Sequence, residues 1–298
     1  MSDLSTELAG LAMPSPVMTA AGCGGRELAP YGDLAALGAV VTRTVTPDPV
    51  AGTPPPRTVA TPSGVLHDTG LQNAGLQSFL TTDLPWYAQQ GVRTVVSVAA
   101  GSLAGYAELA RRLGTSPGVA AVEVHLAATD PHQTGKAVHV VRRDLPSDVP
   151  VLAKLGPGRD LVELARAAAD NGADAVVLVQ GFPGLALDPV TLRPLLDRGL
   201  LSGPAVHALA LRAVHDVHEA LPGTPLVGAG GIRTGLEVLG MLAAGATAVQ
   251  LGTVLLGDPS AAARVTTELA AELDARDLPS AAAAVGLAHV RATERTTP

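Results

Sequence analysis

Residues 226–253, LVGAGGIRTGLEVLGMLAAGATAVQLGT, contain two short apolar segments separated by a stretch of alanine and leucine with helical spacing. The first segment runs into a glycine turn at 228–231, and the second ends at Gly252. Short valine-rich runs that alternate with segments of helical period are typical of a parallel sheet with crossover helices. This stretch therefore predicts two consecutive βα units, each of which turns on glycine.

The same alternation extends along the whole chain. Helices are clearest at 160–171, 204–220, 234–244 and 260–273. Strands are predicted at 17–21, 39–42, 94–98, 120–126, 151–154, 175–179, 226–228 and 246–251. Eight βα repeats in about 250 residues fit an α/β fold of the (β/α)₈ TIM barrel type. A doubly wound sheet is the alternative, but it usually carries its glycine-rich phosphate turn after the first strand.

Residues 46–77 form a long segment rich in proline and glycine, between the second predicted strand and the next helix. A loop of this length inside a compact domain is usually functional. In a barrel it covers the C-terminal face, where ligands bind, so we predict an active-site loop. Because no linker or change of composition divides the sequence, we predict a single domain over residues 1–298.

Composition excludes several classes of function. A net charge of -7 and an aromatic content of 2% give neither a basic surface nor stacking platforms for nucleic acid. No apolar run is long enough to cross a bilayer, so we expect a cytoplasmic protein without a membrane partner. A single cysteine, Cys23, excludes an internal disulfide, a cysteine-ligated zinc site and an iron–sulfur cluster in this chain, and no metal site is predicted.

Lysine is rare, because Lys136 and Lys154 are the only two in the chain. Lys154 ends the predicted strand 151–154, at the position where barrel residues reach the active site. Its ammonium group could stabilise a developing anion, form a Schiff base, or pair with a carboxylate at the rim.

The glycine turns after the seventh and eighth predicted strands lie where barrels of this type bind phosphate. The two turns, at 227–232 and 250–253, would present backbone N–H groups to the anion. The alternative is that these are ordinary βα turns, in which glycine supplies a positive φ.

Several motifs, in this order, resemble those of the class 1 dihydroorotate dehydrogenases, and especially the subclass that works with an electron-transfer subunit. They are PVMTAAG at 16–22, LGAVVTRTVT at 37–46, TPPPR at 53–57, GLQNAG at 70–75, AKL at 153–155, LSGPA at 201–205 and the two glycine turns. The resemblance covers nearly the whole chain. It implies bound FMN, a homodimer, and a partner subunit with FAD and an iron–sulfur cluster.

The resemblance also assigns residues to FMN. It implies that Ala20, Ala21 and Gly22 flank the isoalloxazine ring and that Lys154 faces its pyrimidine edge. Ser202 and Gly203 are implied along the ribityl chain, and Gly230, Gly231, Gly252 and Thr253 at the phosphate. The other residues implied to bind FMN are Arg43, Thr44 and Gln180.

The sequence departs from the family on the substrate side. Where the family reads Asn-x-Ser-Cys-Pro-Asn, residues 125–130 read HLAATD, so Ala128 replaces the catalytic cysteine. His67 and Gln180 stand where the family has asparagines, and Arg43 stands where it has a lysine. The predicted substrate-binding residues are Arg43, His67, Asn73, His125 and Gln180, and the predicted catalytic residues are His67, His125, Lys154 and Arg43.

These observations predict an FMN-dependent oxidoreductase that acts on a CH–CH group. Hydride would pass between a small organic substrate and flavin N5. Because the usual base is absent, we expect a substrate other than dihydroorotate, in a specialised biosynthesis. One alternative is a catalytically silent flavin-binding protein that binds a partner. The other is a divergent dihydroorotate dehydrogenase in which a histidine acts as the base.

Overall fold

The computed structural model describes residues 2–126 and 130–290. Its strands are β1 (Thr6–Leu8), β2 (Leu11–Met13), β3 (Val17–Thr19), β4 (Val40–Val41), β5 (Thr58–Thr61), β6 (Gly64–His67), β7 (Thr94–Val98), β8 (Val119–Leu126), β9 (Val151–Leu155), β10 (Ala175–Leu178), β11 (Phe182–Gly184), β12 (Gly199–Ser202), β13 (Leu226–Ala229) and β14 (Ala248–Leu251). Its α-helices are α1 (Gly75–Ser78), α2 (Leu84–Gln89), α3 (Leu103–Gly114), α4 (Pro131–Asp144), α5 (Leu161–Asp170), α6 (His207–Ala220), α7 (Gly235–Ala243), α8 (Val254–Gly257) and α9 (Ala261–Asp274).

Eight parallel strands form one sheet in the order β3-β14-β13-β10-β9-β8-β7-β4. These are the eight strands predicted from the sequence, and helices connect most of them. The order follows the chain around a circle, so the prediction of a single-domain (β/α)₈ barrel is confirmed. The doubly wound alternative is wrong, because it requires strand order to reverse at a switch point.

The two ends of this sheet, β3 and β4, meet through a short seam. The Gly38 amide donates to the Val17 carbonyl at 2.8 Å, and the Thr19 amide donates to the Ala39 carbonyl at 3.2 Å. A Cβ on Gly38 would lie only 2.4 Å from the Ser15 carbonyl oxygen. Glycine at this position therefore lets the two backbones approach closely enough to close the barrel.

Alternating residues of each barrel strand face two different cores. An outer core packs the strands against the helices and includes Val122 and Val124 of β8. The inner core fills the barrel and includes Met18, Val95, Ala121, Leu152, Val177, Val227 and Ala248. The antiparallel hairpin β1–β2 adds Leu8 and Met13 to the inner core, so it covers one end of the barrel.

A second sheet of four antiparallel strands, in the order β11-β12-β6-β5, lies outside the barrel ladder. Its strands β5 and β6 belong to the segment 46–77, so the expectation of a loop there is wrong for this hairpin. The strands escaped prediction because proline and glycine surround only two short β-forming runs, TVAT and GVLH. Among the helices in the described part of the chain, none has the length and apolar character that a membrane span requires.

We predict that Leu8→Ala lowers the free energy of unfolding by about 2–5 kcal/mol, because it leaves a cavity where the hairpin enters the inner core. Leu8 is 0% exposed, whereas Leu236 on α7 is 52% exposed. The control Leu236→Ala should change stability by no more than about 0.5 kcal/mol. Denaturant titration measures both, and equal losses in the two variants would contradict a packed hairpin.

Candidate active site

The predicted site residues follow the carboxyl ends of the barrel strands, which meet at one rim because the strands are parallel. Ala20 directly follows β3, and Arg43 and Gln180 each lie two residues after the end of a strand, β4 and β10. His125 and Lys154 lie next to each other in register near the ends of β8 and β9. The glycine turns follow β13 and β14. The barrel therefore places side chains that are far apart in sequence around one opening.

Lys154 is the centre of a buried polar network inside the barrel. Its Nζ donates to Gln250 Oε1 at 2.8 Å and lies 3.6 Å from Glu123 Oε1. The Gln250 side chain in turn donates from Nε2 to Glu123 Oε2 at 2.6 Å. Of the three roles predicted for Lys154, the structure contains the ion pair, although the carboxylate lies in the barrel interior and not at the rim.

Sequence reasoning missed Glu123 and Gln250. Both lie two residues beyond an inner-core alanine, Ala121 and Ala248, so the strand period directs their side chains into the barrel. A signal for Glu123 exists in the sequence, because an acidic residue at an inward position of an apolar strand needs a buried partner. The identity of that partner depends on the closed barrel, which brings β14 and β9 within reach of β8.

His125 and Gln180 are in contact on the predicted substrate side, and His67 lies near the residue that follows Gln180. Gln180 Nε2 lies 3.4 Å from His125 Nε2, within reach of the tautomer whose Nε2 accepts. The His67 ring lies beside the next residue, since a Cβ on Gly181 would be 3.4 Å from His67 Nε2. His67 pairs with Leu200 between β6 and β12, in the antiparallel sheet.

Burial favours the neutral form of both histidines. Desolvation, and secondly the charge of Lys154, lower the pKa of His125 from 6.5 to about 4. Desolvation also lowers the pKa of His67, against a smaller opposing effect of Asp68. Both rings are therefore neutral near pH 7, and His125 is the weaker base of the two.

The predicted phosphate end is also assembled. The Thr253 hydroxyl donates to Ser202 Oγ at 2.8 Å, and a Cβ on Gly203 would lie 3.3 Å from Thr253 Cγ2. Gly231 has a φ of +70°, and a Cβ there would lie 2.7 Å from the Gly203 carbonyl oxygen. His207, which sequence reasoning did not assign, holds the turn because its Nδ1 lies 3.1 Å from the Gly230 carbonyl oxygen.

A cavity of about 260 Å³ opens beside the turn that follows β3. It is lined by Gly22, Arg43 and Asn73 of the predicted site, together with residues that include Arg26, Phe79 and Tyr87. The Asn73 amide donates to the Thr46 hydroxyl and to the Leu71 carbonyl, both at 2.8 Å. Both N–H groups of the Asn73 side chain are thus used within the segment 46–77, and contact of Asn73 with substrate stays a prediction.

The remaining predicted residues differ in what surrounds them. Thr44 is buried, and its hydroxyl lies 3.0 Å from Ser97 Oγ, so it bonds to a neighbouring strand. The Ala20 amide donates to the Leu251 carbonyl at 2.7 Å, which holds the 20–22 turn against the end of β14. Burial raises the pKa of the Cys23 thiol, which stays protonated. Ala128, at the position of the family's cysteine, lies outside the described residues.

Replacement of His125 tests its neutral state. Because its pKa is lower in the folded protein, the unfolded chain binds more protons between about pH 4 and 6.5, so stability falls as pH decreases through that range. We predict that the wild type loses up to about 3 kcal/mol more than His125→Asn between about pH 7 and pH 4.

Denaturant titrations at several pH values measure this difference. His132→Asn, at an exposed position on α4, is the matched control and should follow the wild type. Parallel stability curves for the wild type and His125→Asn would contradict a buried neutral imidazole.

Comparison with known proteins agrees with this geometry. A family model described as dihydroorotate dehydrogenase matches residues 3–273. The catalytic subunit of dihydroorotate dehydrogenase B (NAD(+)) from Desulforudis audaxviator is 42% identical over 298 residues, which covers 95% of this chain and 96% of that protein. The subunit of the same name from Geobacter sulfurreducens is 41% identical over 283 residues, with coverage of 90% and 92%. The chain therefore belongs to the dihydroorotate dehydrogenase family, the B type of which comprises FMN-dependent oxidoreductases that act on CH–CH groups.

Proposed function

We propose that this protein transfers hydride between FMN and a CH–CH group of a small organic substrate other than dihydroorotate. The observation that carries this proposal is the contrast between the two sides of the opening. On the predicted flavin side, the family's lysine is kept as the buried Lys154, and Ser202 and Thr253 lie in hydrogen-bond contact next to the glycine turn at 230–231. On the substrate side two neutral histidines and Gln180 replace asparagine amides.

The residues present fit FMN. Gly203, Gly231 and Thr253 pack closely, so positions 203 and 231 leave no room for a Cβ, and the Ser202 and Thr253 hydroxyl groups lie at this contact. Gly230, Gly231, Gly252 and Thr253 would hold the phosphate, while Ser202 and Gly203 would line the ribityl chain. When bound, FMN supplies the hydride acceptor. Lys154 would place a buried positive charge near the ring.

On the substrate side, the neutral histidines set which chemistry this chain can perform. His125 acts as a hydrogen-bonding group, because a pKa of about 4 makes it a weak base. His67 is the better group to accept or return a proton at its Nε2, which lies near Gly181. Arg43, which lines the cavity, would bind a carboxylate or carbonyl of the substrate.

The proposal includes a partner. The relatives are named catalytic subunits of NAD(+) enzymes, which supports a second subunit that takes electrons from the reduced flavin. This chain has a single cysteine, so an iron–sulfur cluster would belong to that subunit. We further propose that residues 46–77 form the wall of the substrate site within the single domain, and that the chain forms a homodimer.

Retention of FMN tests the glycine turn at 230–231. Gly231→Ala introduces a Cβ at a φ of +70°, where it would meet the Gly203 carbonyl oxygen at 2.7 Å and the His207 nitrogen at 2.9 Å. We expect FMN affinity to fall by about tenfold or more, because the left-handed conformation alone opposes alanine by about 1–2 kcal/mol.

Fluorescence titration of apoprotein with FMN measures this affinity. Gly240→Ala on α7 is the control, since a Cβ there would meet nothing within 4 Å outside the backbone of its own helix. Unchanged FMN affinity in Gly231→Ala would remove the glycine turn from the cofactor site.

Anaerobic mixing with dihydroorotate tests the substrate. We expect flavin reduction to be slower than in a cysteine-containing relative by about 10²–10⁴-fold, the usual contribution of a general base. Reduction of the same sample by dithionite is the control for a competent flavin. Rapid stoichiometric bleaching by dihydroorotate would exclude our proposal.

That outcome would favour the second candidate, a dihydroorotate dehydrogenase with His67 as its base, which the names of the relatives support. His67→Asn should then abolish the bleaching.

A flavin that dithionite reduces but no CH–CH donor reduces would indicate the third candidate, a silent flavoprotein that binds a partner.

A further inference from the structure

A layer of polar side chains crosses the inside of the barrel directly below the candidate active site. Glu123 on β8, Lys154 on β9 and Gln250 on β14 are 0%, 6% and 1% exposed. Each lies two residues beyond an inner-core residue of its strand, namely Ala121, Leu152 and Ala248. The three side chains therefore form the boundary between the apolar core and the opening above it.

Gln250 connects the two charged groups. Its amide oxygen accepts from Lys154 Nζ at 2.8 Å, and its amide nitrogen donates to Glu123 Oε2 at 2.6 Å. Because Glu123 offers only acceptors and Lys154 only donors, the orientation of the amide is determined from both ends. The carboxylate and the ammonium group are thus held by the same amide side chain.

Glu123 is not fully satisfied by these bonds. Among the described residues no hydrogen-bond donor reaches its Oε1, which lies 3.6 Å from Lys154 Nζ. A fully buried carboxylate is strongly destabilising without a compensating charge, and Lys154 supplies it. Conversely, the negative charge of Glu123 reduces the positive electrostatic potential that Lys154 produces at the opening.

We propose that Glu123 is a positioning residue for the flavin reaction, acting through Gln250 on Lys154. This inference rests on the proposed function, in which FMN lies above Lys154. Reduced flavin gains negative charge, so an ammonium group nearby favours reduction and a carboxylate behind that group opposes it. Glu123 thereby both fixes the position of Lys154 and lowers the reduction potential of the bound flavin.

The first test is the reduction potential of the FMN-bound protein, measured by anaerobic titration against reference dyes. Glu123→Gln keeps the shape and removes the charge, and we expect a positive shift equivalent to about tenfold in the reduction equilibrium, or about 30 mV for a two-electron couple. Glu123→Asp should give a smaller shift in the same direction. Glu108→Gln, at an exposed position on α3, should leave the potential unchanged.

The second test needs no flavin, because it observes Lys154 itself. Lys136 and Lys154 are the only lysines, so each signal can be assigned. In apoprotein with ¹⁵N-labelled lysine, the hydrogen-bonded ammonium of Lys154 should give a signal protected from solvent exchange, whereas exposed Lys136 should not. Protection of this signal should fall most in Glu123→Gln, where Gln250 alone holds the ammonium group, fall less in Glu123→Asp and stay unchanged in Glu108→Gln.

The outcomes separate this inference from the proposed function. A folded Glu123→Gln with unchanged potential and an unchanged Lys154 signal would overturn the positioning role. If Glu123→Gln does not fold, the aspartate variant decides by the same criteria. If the wild type binds no FMN, the proposed function fails, and the apoprotein spectrum still determines whether Glu123 holds Lys154.

Discussion

Everything in this molecule depends on closure of the parallel sheet at the seam between β3 and β4. The contact is short, because β4 has only two residues, and it relies on a glycine that allows the two backbones to meet. Once the sheet is closed, the strand period sends alternate residues to two cores and brings all strand ends to one rim. The site is a consequence of that geometry, since its residues come from strands that are distant in sequence.

The polarity of the barrel interior changes along its axis. Aliphatic side chains fill the end covered by the β1–β2 hairpin, and the next layer contains Glu123, Lys154 and Gln250. At the rim beside this layer lie His125, the register partner of Lys154, and Gln180, which contacts it. The gradient explains how one ammonium group can be held in a dry environment close to a ligand site, where its field is strongest.

Much of this organisation could be predicted from the sequence. Valine-rich runs and glycine turns predicted all eight barrel strands, because strand period and turn chemistry are local properties. The hairpin β5–β6 was not predicted, since its pairing with β12 is a tertiary interaction within a proline-rich segment. The roles of Asn73 and Glu123 also depend on partners that only the fold brings close.

The antiparallel sheet joins strands that are far apart in sequence, and this separation affects when the sheet can form during folding. The Ser202 hydroxyl donates to the Val65 carbonyl across a separation of 137 residues, and β6 pairs with β12 over a similar distance. Such long-range contacts form late, because a large loop must close first. During synthesis from the N-terminus, the pairing of β6 with β12 therefore cannot form until two thirds of the chain has emerged from the ribosome.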